Sequence, residues 1–175
     1  ETKFGTLTVE GLSAGGEGGD DTRLAATITA NSGTIEAYDG QEHSISGFVG
    51  EADGAVTVEV NGVPYVISGM TAEAKGTDAG TYETQISCTA VVKDAAGNDV
   101  SDEFEVTTTS GSLVIGKASV TLQSGDATKE YDGRPLTSSE MTATGFVEGE
   151  GADYTFTGTQ TTVGSSPNTF EYALK

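Results

Sequence analysis

The chain is short of almost every residue type on which enzyme chemistry depends. It has one histidine, one cysteine, no tryptophan, three prolines, and eight basic residues against 27 acidic ones in 175 positions. A single cysteine, Cys88, excludes an intrachain disulfide, so stability has to come from apolar cores. Its place in an alternating run with Ile86 and Ala90 reads as a small buried apolar side chain, because free cysteine is among the most buried residue types. No cation or imidazole lies near it in sequence to make it a nucleophile. The few lysines and arginines form no cluster, which excludes a phosphate-binding surface and, with it, nucleic acid as a partner. No apolar run approaches the length of a membrane-spanning helix, so membrane insertion is not expected, and neither a signal peptide nor a lipidation motif is visible. Aromatic residues make up only 7%, too few for a strong sugar-stacking platform.

The same scarcity narrows the catalytic options. Any imidazole mechanism would have to use His43, with Asp39 and Ser44 close by in sequence. A catalytic triad is recognised by geometry, and neither a nucleophile elbow nor an oxyanion loop accompanies these residues. His43 therefore reads as a polar loop residue. Carboxylates are plentiful, but glycoside hydrolysis needs two of them held across a sugar cleft, and these lie on turns. Two acidic groups offer oxygen ligands to Ca²⁺: Glu17, Asp20 and Asp21, and Asp94, Asn98, Asp99 and Asp102. Neither has the spacing of a calcium loop. Gly15–Gly19 is glycine-rich, but its acidic neighbours would repel a phosphate. The expectation is thus no enzyme, no cofactor, and no catalytic or metal site; the net charge of −19 reads as solubility and self-repulsion.

What the chain does have is glycine, 25 residues of it, many threonines, and a period-two pattern that predicts an all-β fold. Glycine and β-branched residues disfavour helices and suit short strands joined by turns. Strands are predicted over Leu24–Ala30, Thr34–Tyr38, His43–Phe48, Ala55–Val60 and Val63–Ile67, then as one long strand over Thr81–Lys93. Asn61-Gly62 is a strong hairpin signal, because a type I′ turn needs positive φ at both central residues. Pro64, just after it, predicts an edge strand. Asp94–Asn98 turns the chain back to Glu103–Thr107, and Gly111–Ile115 closes the unit. Further strands are expected at Ser119–Gln123, Glu130-Tyr131, Met141–Phe146, Tyr154–Gly158 and Thr169–Leu174.

The chain also repeats itself. Tyr38-Asp39-Gly40 returns as Tyr131-Asp132-Gly133, about 90 residues later, each followed by Gly-Phe (Gly47-Phe48, Gly145-Phe146), as a tandem module would be. Gly5-Thr6-Leu7-Thr8-Val9 likewise matches Gly111-Ser112-Leu113-Val114-Ile115. This predicts four regions: residues 1–10 as the closing strand of an upstream repeat, 11–23 as a linker rich in glycine and acids, 24–117 as one β-sandwich repeat, and 118–175 as a second that lacks its last strands. An unfinished sandwich exposes a strand edge, and the terminal strand, through Phe4, Leu7 and Val9, is a candidate to fill it by strand exchange between copies.

The order of these motifs, with Thr157–Gly164, Asn168-Thr169-Phe170 and Gly-Ser-Leu-Val-Ile, resembles the Tyr-Asp-Gly class of bacterial immunoglobulin-like repeats in surface proteins of Gram-positive gut bacteria. The first copy departs from the pattern at Lys75–Tyr82. The resemblance implies tandem immunoglobulin-like modules in a secreted, wall-attached protein, serving as a stalk, with neighbouring repeats and a host glycan or matrix protein as candidate partners. It carries no catalytic residue onto this chain. By its own chemistry, Tyr-Asp-Gly is a turn with an anchor: Asp-Gly bends the chain while the tyrosine ring packs inward and its OH reaches a backbone group. Such repeats sometimes carry internal Lys–Asn or Thr–Gln cross-links. Lys129 is in phase with Tyr131 for an inward position, but no partner is apparent.

Overall fold

The computed structural model describes residues 23–175, and among them there are 14 strands, one short 3₁₀ turn and no α-helix. The first ten strands are β1 (Leu24–Thr29), β2 (Gly33–Ile35), β3 (His43–Ser46), β4 (Glu51–Ala52), β5 (Ala55–Val60), β6 (Val63–Gly76), β7 (Gly80–Glu83), β8 (Gln85–Lys93), β9 (Phe104–Thr109) and β10 (Ser112–Ile115). β11 (Thr121–Ser124), β12 (Met141–Thr144), β13 (Ala152–Phe156) and β14 (Phe170–Leu174) follow. The chain is therefore all-β. The expectations for residues 1–22, which include Phe4, Leu7, Val9, Gly15–Gly19, Glu17, Asp20 and Asp21, lie outside the described residues.

The hairpin at Asn61-Gly62 organises the larger sheet. Both residues have positive φ, 53° and 79°, and the turn sets β5 antiparallel to β6 with Val60 opposite Val63. β6 then continues well past the expected end at Ile67. It pairs with β8 over Val66–Glu73 and with β3 over Glu73–Gly76, so it is a central strand. Pro64 corrects the edge-strand expectation while explaining itself. It precedes Val66, where the β8 ladder begins, so its missing N–H removes no cross-strand bond there.

A second layer, β1 paired in parallel with β9, covers this sheet. Ala26, Ile28 and Phe104 on one side meet Val56, Val60, Ile67, Ala72 and Val92 on the other, all buried. Ile67 is wholly inaccessible, and full burial of such a side chain stabilises by roughly 2 kcal/mol. A smaller cluster forms where β10 lies between β2 and β7, parallel to the first and antiparallel to the second. Leu113, Ile115 and Ala74 are buried there, with Ile35, Tyr38, Ile45 and Tyr82 packed around them.

The long strand expected over Thr81–Lys93 is broken at Thr84. Its amide donates to the Gly111 carbonyl (2.9 Å), which binds β7 to β10, whereas β8 pairs with β6. Alternation continues through the break, so the sequence pattern carries no sign of it. Cys88 is exposed, contrary to the buried reading. Its in-phase neighbours Ile86 and Ala90 pack against the main core and Val92 is buried in it, so the exposure is local to Cys88, which lies opposite Met70 beside the register shift of the β6–β8 ladder.

Beyond Gly116 the character changes. β11 and β12 form one antiparallel ribbon, β13 and β14 another. Phe170 meets Tyr154 and Phe156 at ring distances of 6.3 and 6.1 Å. None of residues 117–175 is buried. Leu122, Leu136, Met141, Phe146 and Phe156 reach only half-burial, and the expected strand at Glu130-Tyr131 is irregular.

Candidate functional site

The two Tyr-Asp-Gly turns share a backbone and differ in their surroundings. In the first, Asp39 Oδ1 accepts hydrogen bonds from the Gln41 amide (3.0 Å) and from His43 Nε2 (2.9 Å). The Gln41 N–H, and after it His43, hold the Asp39 carboxyl below the usual carboxylate range. Gly40 follows with φ of +77°, which glycine adopts without steric cost. In the second turn, Asp132 Oδ1 accepts from Lys129 Nζ (2.6 Å) and from the Arg134 amide (2.9 Å). Lys129 first, then that amide, lowers the Asp132 carboxyl. Gly133 has φ of +76°.

The tyrosines diverge. Tyr38 packs on the cluster around Leu113, and its OH donates to Glu150 Oε1 at 2.6 Å. The acceptor is thus a carboxylate 112 residues further along the chain and not the expected backbone group. This bond, then burial, raises the Tyr38 phenol above its ordinary value. Gly40 is pressed against the same region, since a methyl group there would lie 2.7 Å from Val147 Cγ1. Tyr131, by contrast, is 68% exposed. Lys129 makes its ion pair with Asp132 on the surface and does not point inward as its phase had implied.

His43 is the first residue of β3, not a loop residue. Its partner is Asp39, and Ser44 takes the opposite side of the strand by alternation, so no triad assembles. In the second acidic group, Asp94 spends its carboxylate on its own turn: Oδ1 accepts from the Ala96 and Asn98 amides (2.9 and 2.8 Å), and Oδ2 accepts from Asn98 Nδ2 (2.8 Å). Asn98 accordingly holds the Asp94 carboxyl low. Asp99 is likewise engaged by Ser101, through its hydroxyl (2.6 Å) and its amide (3.0 Å), and is lowered by them. Among the described residues no group of three His, Cys, Asp or Glu side chains converges to hold a metal ion.

Several concavities are present among the described residues. A broad groove of about 1000 Å³ passes Tyr82, Gln85 and Ile86, with Glu73 tied to Lys75 at 3.0 Å. A cleft of about 380 Å³ lies between Tyr38, Lys117, Phe146, Glu150 and Leu174. A slot of about 310 Å³ separates the segment around Ala127 and Thr128 from the segment around Val163 and Ser165. Glu150, which lines the cleft beside Tyr38, and Val147, which meets Gly40, carried no signal in the sequence, since a contact across more than a hundred residues leaves no mark in the local pattern. Comparison with family models, with curated proteins and with solved structures finds no match.

Proposed function

We propose that the chain is a non-enzymatic spacer: immunoglobulin-like β-sandwich repeats of the Tyr-Asp-Gly type, laid end to end in a Gram-positive surface protein, projecting a binding domain away from the cell wall. The observation that carries this reading is the joint. Tyr38 and Gly40 of the first turn meet Glu150 and Val147 of the next repeat, so the motif that ends one unit's small cluster also fixes its neighbour. A spacer needs such a joint, because reach comes from successive units held in line and is lost in a flexible linker. The acidic residues support the same reading. Those of the turns serve their own backbone, and the large net negative charge keeps copies apart in solution.

Small-angle scattering of the full chain tests this. An elongated particle described by a single conformation is the expected result, with Tyr38→Phe and Gly40→Val together broadening the distribution of particle lengths. A compact particle would overturn the spacer reading. So would specific retention of the chain on a glycan or matrix-protein array, since binding would then reside in the repeats themselves.

A further inference from the structure

β8 carries a stretch of open strand edge in the middle of the chain. On one side it pairs with β6, and on the other no strand among the described residues meets it. Both ends of that second side are closed. At Thr84 the backbone N–H turns away to the Gly111 carbonyl (2.9 Å). At Val92 the carbonyl accepts from the Val100 N–H (2.9 Å), and the Val92 N–H donates to Ser101 Oγ (2.9 Å). Gln85–Val91 lie between these caps, with Gln85, Ser87, Cys88 and Thr89 exposed. An open edge is a template for pairing with another chain, and proteins blunt it with charge, proline, shortness or a bulge. Residues 85–91 contain no charge and no proline, in a chain whose net charge is −19. The register shift beside Cys88 bends this strand but leaves it continuous over Gln85–Lys93.

We propose that this edge is a dimerisation surface whose partner is the same edge of a second copy, run antiparallel about a two-fold axis at Cys88. The axis at Cys88 is the register that uses the whole open stretch: Gln85 lies opposite Val91, Ile86 opposite Ala90, and Ser87 opposite Thr89. The flanking residues favour this partner over an unrelated extended segment. The same register sets Glu83 opposite Lys93 of the other copy, and does so twice by symmetry. Both side chains are exposed, so opposite charges meet at each end of a neutral ladder, an arrangement that stabilises cross-strand pairs. A slip of one residue in one direction sets Glu83 opposite Asp94, where like charges repel. A slip in the other direction sets Lys93 opposite Tyr82 and loses the ion pair. Elsewhere the net negative charge opposes contact between copies, and this neutral stretch is where they can meet. Such a contact is isologous, so it closes at two. It extends the β5–β6–β8 sheet across both copies, and it holds whether or not the chain is a spacer. The Cys88 thiol takes no chemical part and serves only to report the axis.

Sedimentation equilibrium and disulfide trapping of the full chain test both the dimer and its register. The expected species are monomer and dimer, the dimer fraction rising with protein concentration. Mild oxidation should join two native chains through Cys88, because directly opposed Cα atoms lie about 5 Å apart, within reach of a disulfide. Gln85→Cys combined with Cys88→Ser should not cross-link, since its two copies stand about 20 Å apart in this register. Ser87→Asp and Thr89→Asp together set like charges opposite each other and should weaken the dimer at least about tenfold. Both side chains are exposed, so circular dichroism should be unchanged. Glu83→Lys or Lys93→Glu alone should weaken the dimer, and the two combined should restore it. Glu83→Lys also lowers the net negative charge, so general repulsion predicts the opposite result for that variant. Monomer at every concentration, a dimer indifferent to the two aspartates, cross-linking through Gln85→Cys as fast as through Cys88, or no restoration by the double charge swap would each overturn the proposal.

Discussion

Among the described residues, Thr84 is the one buried residue whose side chain has a polar atom without a partner: its Oγ1 is enclosed, and no hydrogen bond reaches it. The backbone explains its presence. Extended geometry at the crossing from β7 to β8 suits a β-branched side chain, and the Thr84 amide bonds the Gly111 carbonyl. The hydroxyl adds only a desolvation cost. Thr84→Val keeps the shape and removes that cost, so it is expected to stabilise the chain by about 1 kcal/mol. Thermal unfolding measures it as a rise in Tm, and a fall would show that the hydroxyl is satisfied after all. Legibility at this scale follows whether a residue's role is local. The Asp-Gly turns could be read directly, because Asp39 and Asp132 bond amides two residues away. The partner of Tyr38 and the exposure of Cys88 could not, because each depends on what lies across a gap in space.

Among the elements, β6 concentrates the structural demands. Its hairpin start was plain in Asn61-Gly62, but its length and its change of partner were not, since nothing in the alternation marks where β8 yields to β3. Between Ser68 and Met70 the β6–β8 register shifts, and Gly69 sits there with φ of +80°. A bulge with glycine in the left-handed region bends a strand and lets it serve two neighbours. Two glycines with nearly equal φ therefore separate two costs. Gly62→Ala meets nothing within 4 Å and should lose only the backbone preference, about 1 kcal/mol. Gly69→Ala carries the same penalty and also sets its methyl 2.5 Å from the Thr89 carbonyl oxygen, so β6 and β8 must part. We expect it to cost at least about twice as much as Gly62→Ala, given that strain and overpacking add 1–3 kcal/mol. Denaturant midpoints of the two variants provide the comparison, and equal losses would show that the bulge is free to relax.

Across the whole molecule the two repeats share motifs and differ in what those motifs enclose. The residues of the first gather two buried clusters, whereas residues 117–175 enclose none, and β11–β14 stand as two separate ribbons. A two-stranded ribbon without a covered face is marginal in water, and local stability follows buried apolar contact. The similarity of the Tyr-Asp-Gly sequences hides this, because the motif records a turn while burial depends on the strand that closes over it. Hydrogen exchange at low protein concentration should expose the difference. Amides of β5, β6 and β10 are expected to exchange at least about 100-fold more slowly than those of β11–β14. Uniform protection along the chain would mean that the ribbons are held by a core of their own, and the contrast in burial would lose its consequence.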